Sequence, residues 1–145
     1  PPSDSKFKDM ELRPQYKVIG PSSPKELWVL IGKTGECHWC DVQIEELKVL
    51  AKHGWKVDLK GDFSKDDKFH IRVLSLDYFE TIPPQFYIKE KGKDGDVMSL
   101  YTPTMVYWEN DKVKYKSMGT LNRWGIGKLF DGKKLEDKDA NITGK

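Results

Sequence analysis

The chain has 145 residues, of which 33% are charged and 37% hydrophobic, a composition that suits one domain with one core. Its longest apolar run, Leu27–Ile31, has five residues, whereas a membrane-spanning helix needs about 20. No basic segment followed by an apolar one opens the chain as in a signal peptide, so we expect a cytoplasmic protein with no membrane partner. The 25 Lys and Arg residues are interleaved with 23 Asp and Glu residues. This argues against a nucleic-acid partner, because nucleic-acid-binding proteins cluster their basic residues.

Turn-forming residues divide the chain into three parts. Residues 1–25 hold five of the eight prolines and are predicted to form an irregular N-terminal arm, with one short strand at Tyr16–Ile19. Residues 26–131 carry the apolar pattern of a folded domain. Residues 132–145 are predicted to form a polar C-terminal tail.

The first half of the domain predicts a strand, a helix and a second strand. Leu27–Ile31 is continuously apolar, as in a strand that is buried on both faces. Asp41–His53 has apolar residues at helical spacing and is followed by Gly54, a typical helix stop. His70–Asp77 predicts the next strand. A buried strand, a helix and another buried strand in succession indicate a parallel unit.

The second half predicts a hairpin and a last helix. Residues 82–95 are ambiguous, with two prolines that could open a short helix before a charged loop at 89–96. Residues 104–108 and 112–116 flank a turn and predict an antiparallel hairpin. Asn122 is expected to cap the last helix. The aromatic residues expected in the core are Trp28, Tyr107, Trp108, Trp124 and Phe130.

The two cysteines of the chain, Cys37 and Cys40, stand between the first strand and the first helix. Their spacing places both sulfurs on one side of a helical turn, and a helix N-terminus stabilises a thiolate through its positive partial charge and free N–H groups. Cys37 is then the exposed nucleophile, and Cys40 resolves the mixed disulfide. His38 would favour the thiolate when protonated, and Trp39 would either pack under the site or offer an apolar face to a protein substrate.

Two other interpretations of the cysteine pair stay open on the residues alone. The pair could be incidental, or it could be half of a zinc site. His53 and His70 do not have the spacing of a second pair of zinc ligands, so no metal is expected. Redox chemistry is favoured by the strand–Cys-x-x-Cys–helix context.

The motif and its surroundings resemble the thioredoxin superfamily. Cys37-His38-Trp39-Cys40 stands where that family has its Cys-x-x-Cys motif, and residues 102–113 resemble its cis-proline strand, turn and last strand. Residues 119–122 look like the glycine and helix cap that open its final helix. The resemblance covers about residues 26–131. It implies an α/β, thioredoxin-like three-layer fold, with a central mixed sheet flanked by helices.

The resemblance also implies a function and a set of site residues. Cys37 and Cys40 would exchange a dithiol and a disulfide with protein substrates, without a cofactor, and a dedicated reductase or partner protein is plausible. Pro103 resembles the cis-proline whose neighbouring backbone pairs with the substrate, and Thr102 resembles the residue before it, which tunes specificity. The chain departs from the family pattern at Ile31, where the family's reductases often bury an Asp six residues before the nucleophile.

A second departure precedes the nucleophile, where the family often has Trp and this chain has Glu36. Its negative charge would oppose thiolate formation. Without the buried Asp, the proton acceptor for Cys40 is either missing or supplied elsewhere, with Glu36 and Asp41 as the candidates.

Two alternative functions remain. A glutaredoxin-like reductase that uses glutathione fits Thr102-Pro103 and the Gly-rich turn before the cysteines, but the glycine pair and acidic pair of that family are absent after the hairpin. A thioredoxin-like docking subunit of a larger assembly, with redox chemistry incidental, fits the expanded region 83–96 and the missing Asp.

Overall fold

The computed structural model describes residues 20–33, 35–61, 67–77 and 82–142, which form a mixed α/β fold. The predicted arm strand at Tyr16–Ile19 lies outside these residues. The elements are β1 (Lys25–Ile31), α1 (His38–Lys52), β2 (Val57–Asp58), β3 (Ile71–Ser75), β4 (Ile88–Gly92), β5 (Gly95–Ser99), β6 (Thr104–Glu109), β7 (Lys112–Met118) and α2 (Arg123–Phe130). Within the described ranges, no helix has the length and apolar character that crossing a membrane requires.

Five strands form one mixed sheet in the order β2-β3-β1-β6-β7. β1 pairs parallel with β3 and antiparallel with β6, so it lies at the centre of the sheet. The predicted parallel unit and the predicted hairpin of β6 and β7 are both confirmed. Asn110 and Asp111 turn this hairpin with φ angles of 51° and 65°, the left-handed pair that a tight hairpin turn requires.

One face of the sheet is covered by both α-helices. The helices contribute Leu47 and Leu50 from α1 and Ile126 and Leu129 from α2, and the sheet contributes alternate residues of β1, β3 and β6. The sheet residues in this cluster are Leu27, Val29, Ile71, Val73, Met105 and Tyr107. This alternation follows from the two-residue period of a strand.

The opposite face is mainly aromatic. Trp28 of β1 lies against Trp108 of β6, with ring centroids 4.9 Å apart, and against Phe86 at 6.2 Å. Phe86 ends a 3-10 turn at Pro84–Phe86, which is the short helix expected after the two prolines. In the described part of the chain, this turn and its flanking loops cover the face instead of an α-helix.

The same face buries a charged cluster at the beginning of β1. The Glu26 carboxylate accepts hydrogen bonds from the Ser22 backbone N–H at 2.8 Å, from the Ser22 hydroxyl, and from Trp28 Nε1 at 2.6 Å. Arg72 of β3 approaches Glu26 to 3.4 Å and Asp58 of β2 to 3.7 Å. These contacts offset the cost of burying the charges, and they join three neighbouring strands of the sheet.

The charged loop predicted at 89–96 is wrong, because these residues lie within a separate hairpin of β4 and β5. Its charges alternate in sequence but pair across the strands, with Lys89 Nζ 3.2 Å from Asp96 Oδ2. Glu90 accepts hydrogen bonds from Ser99 Oγ and from the hydroxyl of Tyr101. The two strands pair with each other and not with the main sheet. For this reason their sequence lacks the alternation of apolar and polar residues that predicts a strand.

The predicted core position of Trp124 is also wrong, because 62% of this residue is exposed. Trp124 lies on the outer side of α2, where the Arg123 guanidinium stacks over its ring at 4.5 Å. The apolar stripe of α2 is completed by Ile126 and Leu129 without it.

The predicted polar tail is packed on the domain at least as far as residue 142. Asn122 caps α2 through its Oδ1, which accepts a hydrogen bond from Gly125 N at 2.9 Å. The amide nitrogen of the same side chain donates to the Lys138 and Asn141 carbonyl oxygens at 3.0 Å. Lys128 Nζ donates to the buried Asp139 carboxylate at 2.8 Å. One helix cap therefore also holds the C-terminal segment.

Gly125→Ala is expected to lower the free energy of unfolding by about 1–2 kcal/mol, the usual cost of overpacking. A Cβ at Gly125 would stand 2.9 Å from Asp139 Cβ and 3.1 Å from its carbonyl oxygen. Gly127→Ala is the control, because nothing lies within 4 Å of its added Cβ. It should stabilise the protein by about 0.5–1 kcal/mol through helix propensity. Urea unfolding measures both, and equal effects would show that the segment does not pack on Gly125.

The Lys128–Asp139 contact should make stability depend on acid pH. The hydrogen bond from Lys128 holds the pKa of Asp139 below its ordinary value of 3.8. The stability it contributes is therefore fully present above 3.8 and is lost as the pH falls through the lowered value. The stability advantage of the wild type over Asp139→Asn should shrink as the pH falls below about 4 in urea unfolding. A constant difference over this range would contradict the assignment.

Candidate functional site

The cysteine pair lies where the central strand passes into the first helix. β1 ends at Ile31, Cys37 is the N-cap of α1, and Cys40 completes the first helical turn. The two sulfurs are joined in a disulfide, with the Cα atoms 5.2 Å apart. Cys37 is partly exposed, whereas Cys40 is only 3% exposed. The exposed and covered positions match the order predicted for a nucleophile and a resolving cysteine.

Each sulfur faces a backbone N–H group. The amide of Cys40 donates to Cys37 Sγ at 3.2 Å, and the amide of Gly32 donates to Cys40 Sγ at 3.3 Å. Amide donors stabilise a sulfur that carries negative charge. Both positions can therefore hold a thiolate when the disulfide is reduced.

The loop before β6 brings Thr102 against Cys37. Thr102 Oγ1 lies 3.7 Å from Cys37 Sγ, and the Thr102 carbonyl oxygen lies 3.6 Å from it. The Thr102–Pro103 peptide bond is cis, and Pro103 is buried. Residues that are 65 positions apart in the sequence thus meet at the sulfur.

Gly32 is a site residue that the sequence analysis did not identify. A Cβ there would stand 3.2 Å from Cys37 Cβ and 3.2 Å from Thr102 Oγ1, so a side chain would crowd both. The signal in the sequence is a glycine directly after the buried strand, which marks a close approach of backbone as readily as a turn.

The remaining predicted site residues lie at the rim. Trp39 is 54% exposed and His38 is exposed, and their rings meet edge to face at 5.1 Å. Trp39 therefore offers its face outward and does not pack under the site. Glu36 and Asp41 are exposed. Among the described residues, neither of these carboxylates makes a hydrogen bond with Cys40 Sγ. The hydrogen bond that Cys40 Sγ accepts comes from the Gly32 amide.

A groove of about 550 Å³ opens beside the cysteine pair. It is lined by residues of the Cys-x-x-Cys turn, the loop before β6, the start of the segment before α2, and the packed C-terminal segment. The lining residues are Trp39, Thr102, Pro103, Gly119, Thr120, Ala140, Asn141 and Ile142. The groove is of the size that binds small ligands or a short stretch of chain.

The described residues hold no group of three or more His, Cys, Asp or Glu side chains placed to bind a metal ion. Comparison with known proteins adds no assignment, because no protein-family model and no curated protein matches the chain.

Alkylation should distinguish the two cysteines after reduction. Cys37 is expected to react with iodoacetamide before Cys40, because Cys37 is partly exposed whereas Cys40 is buried. Brief treatment of the reduced protein, followed by peptide mass spectrometry, should give a singly labelled species that carries the label on Cys37. The unfolded protein in urea is the control, where both sites should label together. Preferential labelling of Cys40 in the folded protein would contradict this assignment.

Proposed function

We propose that the protein is a thioredoxin-like oxidoreductase that exchanges its Cys37–Cys40 dithiol or disulfide with protein substrates. The observation that carries the proposal is the pairing of a partly exposed Cys37 with a covered Cys40 at the start of α1. The Thr102 contact and the adjoining groove support it, because they place a peptide-sized surface next to the attacking sulfur.

In the reducing direction, the Cys37 thiolate attacks one sulfur of a substrate disulfide. A bond forms between Cys37 Sγ and that sulfur, and the substrate S–S bond breaks. The departing substrate thiolate takes a proton from water. The Cys40 N–H group at Cys37 Sγ stabilises the attacking thiolate before the step.

The second step belongs to Cys40. Cys40 gives its proton to water, and its thiolate attacks Cys37 Sγ. The Cys37–Cys40 disulfide re-forms, the bond between Cys37 Sγ and the substrate sulfur breaks, and the second substrate thiolate leaves and takes a proton from water. Two electrons have then passed from the protein dithiol to the substrate disulfide. The Gly32 N–H group stabilises the Cys40 thiolate, in a chain that has Ile31 where the family's reductases often bury an Asp. An external dithiol regenerates the reduced protein, and the reverse sequence oxidises a substrate.

Single-cysteine variants test the proposal. With a peptide disulfide as substrate, Cys40→Ser should accumulate a mixed disulfide through Cys37, because the resolving sulfur is missing. Cys37→Ser should form no such species, because Cys40 is buried. Wild type should turn over with dithiothreitol as reductant, and both variants should lose at least about 100-fold in turnover, as expected when one member of a coupled pair is removed.

Mass spectrometry under non-reducing conditions identifies the trapped sulfur. If Cys40→Ser traps no substrate and the wild type shows no turnover, the oxidoreductase proposal fails. If the wild type shows no turnover and Cys37→Ser still binds a partner protein, the docking-subunit alternative is supported instead.

A further inference from the structure

We propose that the C-terminal segment Ala140–Ile142 makes the groove beside Cys37 selective for an uncharged stretch of a substrate protein next to its disulfide. This inference rests on the proposed function and names the substrate class of the same site. The predicted polar tail thereby becomes part of the substrate-binding surface.

The lining of the groove carries the argument. Of the residues that the structure describes, all eight that line it are uncharged, although one third of the chain is charged. The charged residues nearest in sequence to the cysteine pair, Lys33, Glu36 and Asp41, are exposed and do not line the groove. Among the described residues, the groove is thus lined by neutral side chains within a highly charged exterior.

This neutrality determines which substrates enter at low cost. A charged side chain that enters the groove gives up water and meets no opposite charge among the described lining residues, so its desolvation is not repaid. A neutral apolar side chain loses little. Glutathione carries two carboxylates and one ammonium group, and it finds no cation among the described lining residues. The same observation therefore favours a protein segment over glutathione as the sulfur partner.

The C-terminal wall of the groove is held in place before any substrate arrives. Thr120 Oγ1 donates to the Ala140 carbonyl oxygen at 2.7 Å. Asn122 fixes the carbonyl oxygens on either side of that residue, at Lys138 and Asn141. Because this wall is already ordered, substrate binding costs no free energy for ordering it. The uncharged residues of the wall therefore affect substrate selectivity directly.

Asn141 offers the sharpest test. Its backbone oxygen holds the segment, whereas the residue itself is exposed and lines the groove, so a charged side chain can be introduced there without loss of that hydrogen bond. The probes are three synthetic peptide disulfides that differ only in two residues beside one cysteine, which are Ala-Ala, Asp-Asp or Lys-Lys. Oxidised glutathione is the fourth substrate, and dithiothreitol is the reductant.

Wild type should prefer the Ala-Ala peptide over both charged peptides by about tenfold in kcat/KM, and glutathione disulfide should be the poorest substrate. Asn141→Lys should shift the preference toward the Asp-Asp peptide, and Asn141→Asp toward the Lys-Lys peptide. Opposite shifts from two substitutions at one position cannot come from a general loss of structure. Met98→Lys and Met98→Asp are the matched controls, because Met98 is exposed on the β4–β5 hairpin and does not line the groove.

The outcomes separate the two proposals. Equal turnover of all three peptides by the wild type, or the same change for every peptide in both Asn141 variants, would overturn the selectivity of the groove and leave the oxidoreductase intact. No exchange with any of the peptides or with hydroxyethyl disulfide, a small neutral substrate, would overturn both.

Discussion

Burial of β1 on both faces fixes the position of everything at the cysteine pair. Residues 26–30 are fully enclosed between the two core clusters, and the strand is hydrogen-bonded to β3 on one side and β6 on the other. One end of this strand supplies Gly32, whose amide contacts Cys40. Its partner β6 begins two residues after Thr102, which contacts Cys37. One half of the site is therefore attached to β1 and the other to its neighbour β6. The pairing of these two strands fixes the positions of the two sulfurs.

The sequence predicts those features that depend on neighbours along the chain. The apolar run of β1, the cysteine spacing and the Asn122 cap are local patterns, and the structure has each of them. The β4–β5 hairpin escaped prediction because its strands pair only with each other and carry charges on both sides. Gly32 escaped because its role depends on Cys37 and Thr102 approaching from elsewhere. Cys37 and Thr102 are 65 positions apart, and a contact at this separation produces no periodic pattern in the sequence.

The buried charges illustrate the same limit. Glu26 and Arg72 belong to strands that look apolar from their neighbours, and a charged residue in such a run suggests exposure. In the fold they meet Ser22, Trp28 and Asp58, which supply hydrogen bonds and opposite charge. A buried polar group is tolerated where its partners are assembled by tertiary structure. Only the strand pairing brings these partners together.

Asn122 joins the start of α2 to the C-terminal segment through one side chain. A cap of this kind contributes about 1 kcal/mol to its helix, so displacement of the Asn122 side chain would release the segment and fray the first turn of α2 together. The groove wall and the helix end should consequently open and close as one cooperative unit, with a shared rate of amide hydrogen exchange. A substrate that displaces the C-terminal segment would also have to displace the first turn of α2. Motion at the groove would therefore depend on Asn122, although this residue does not line the groove.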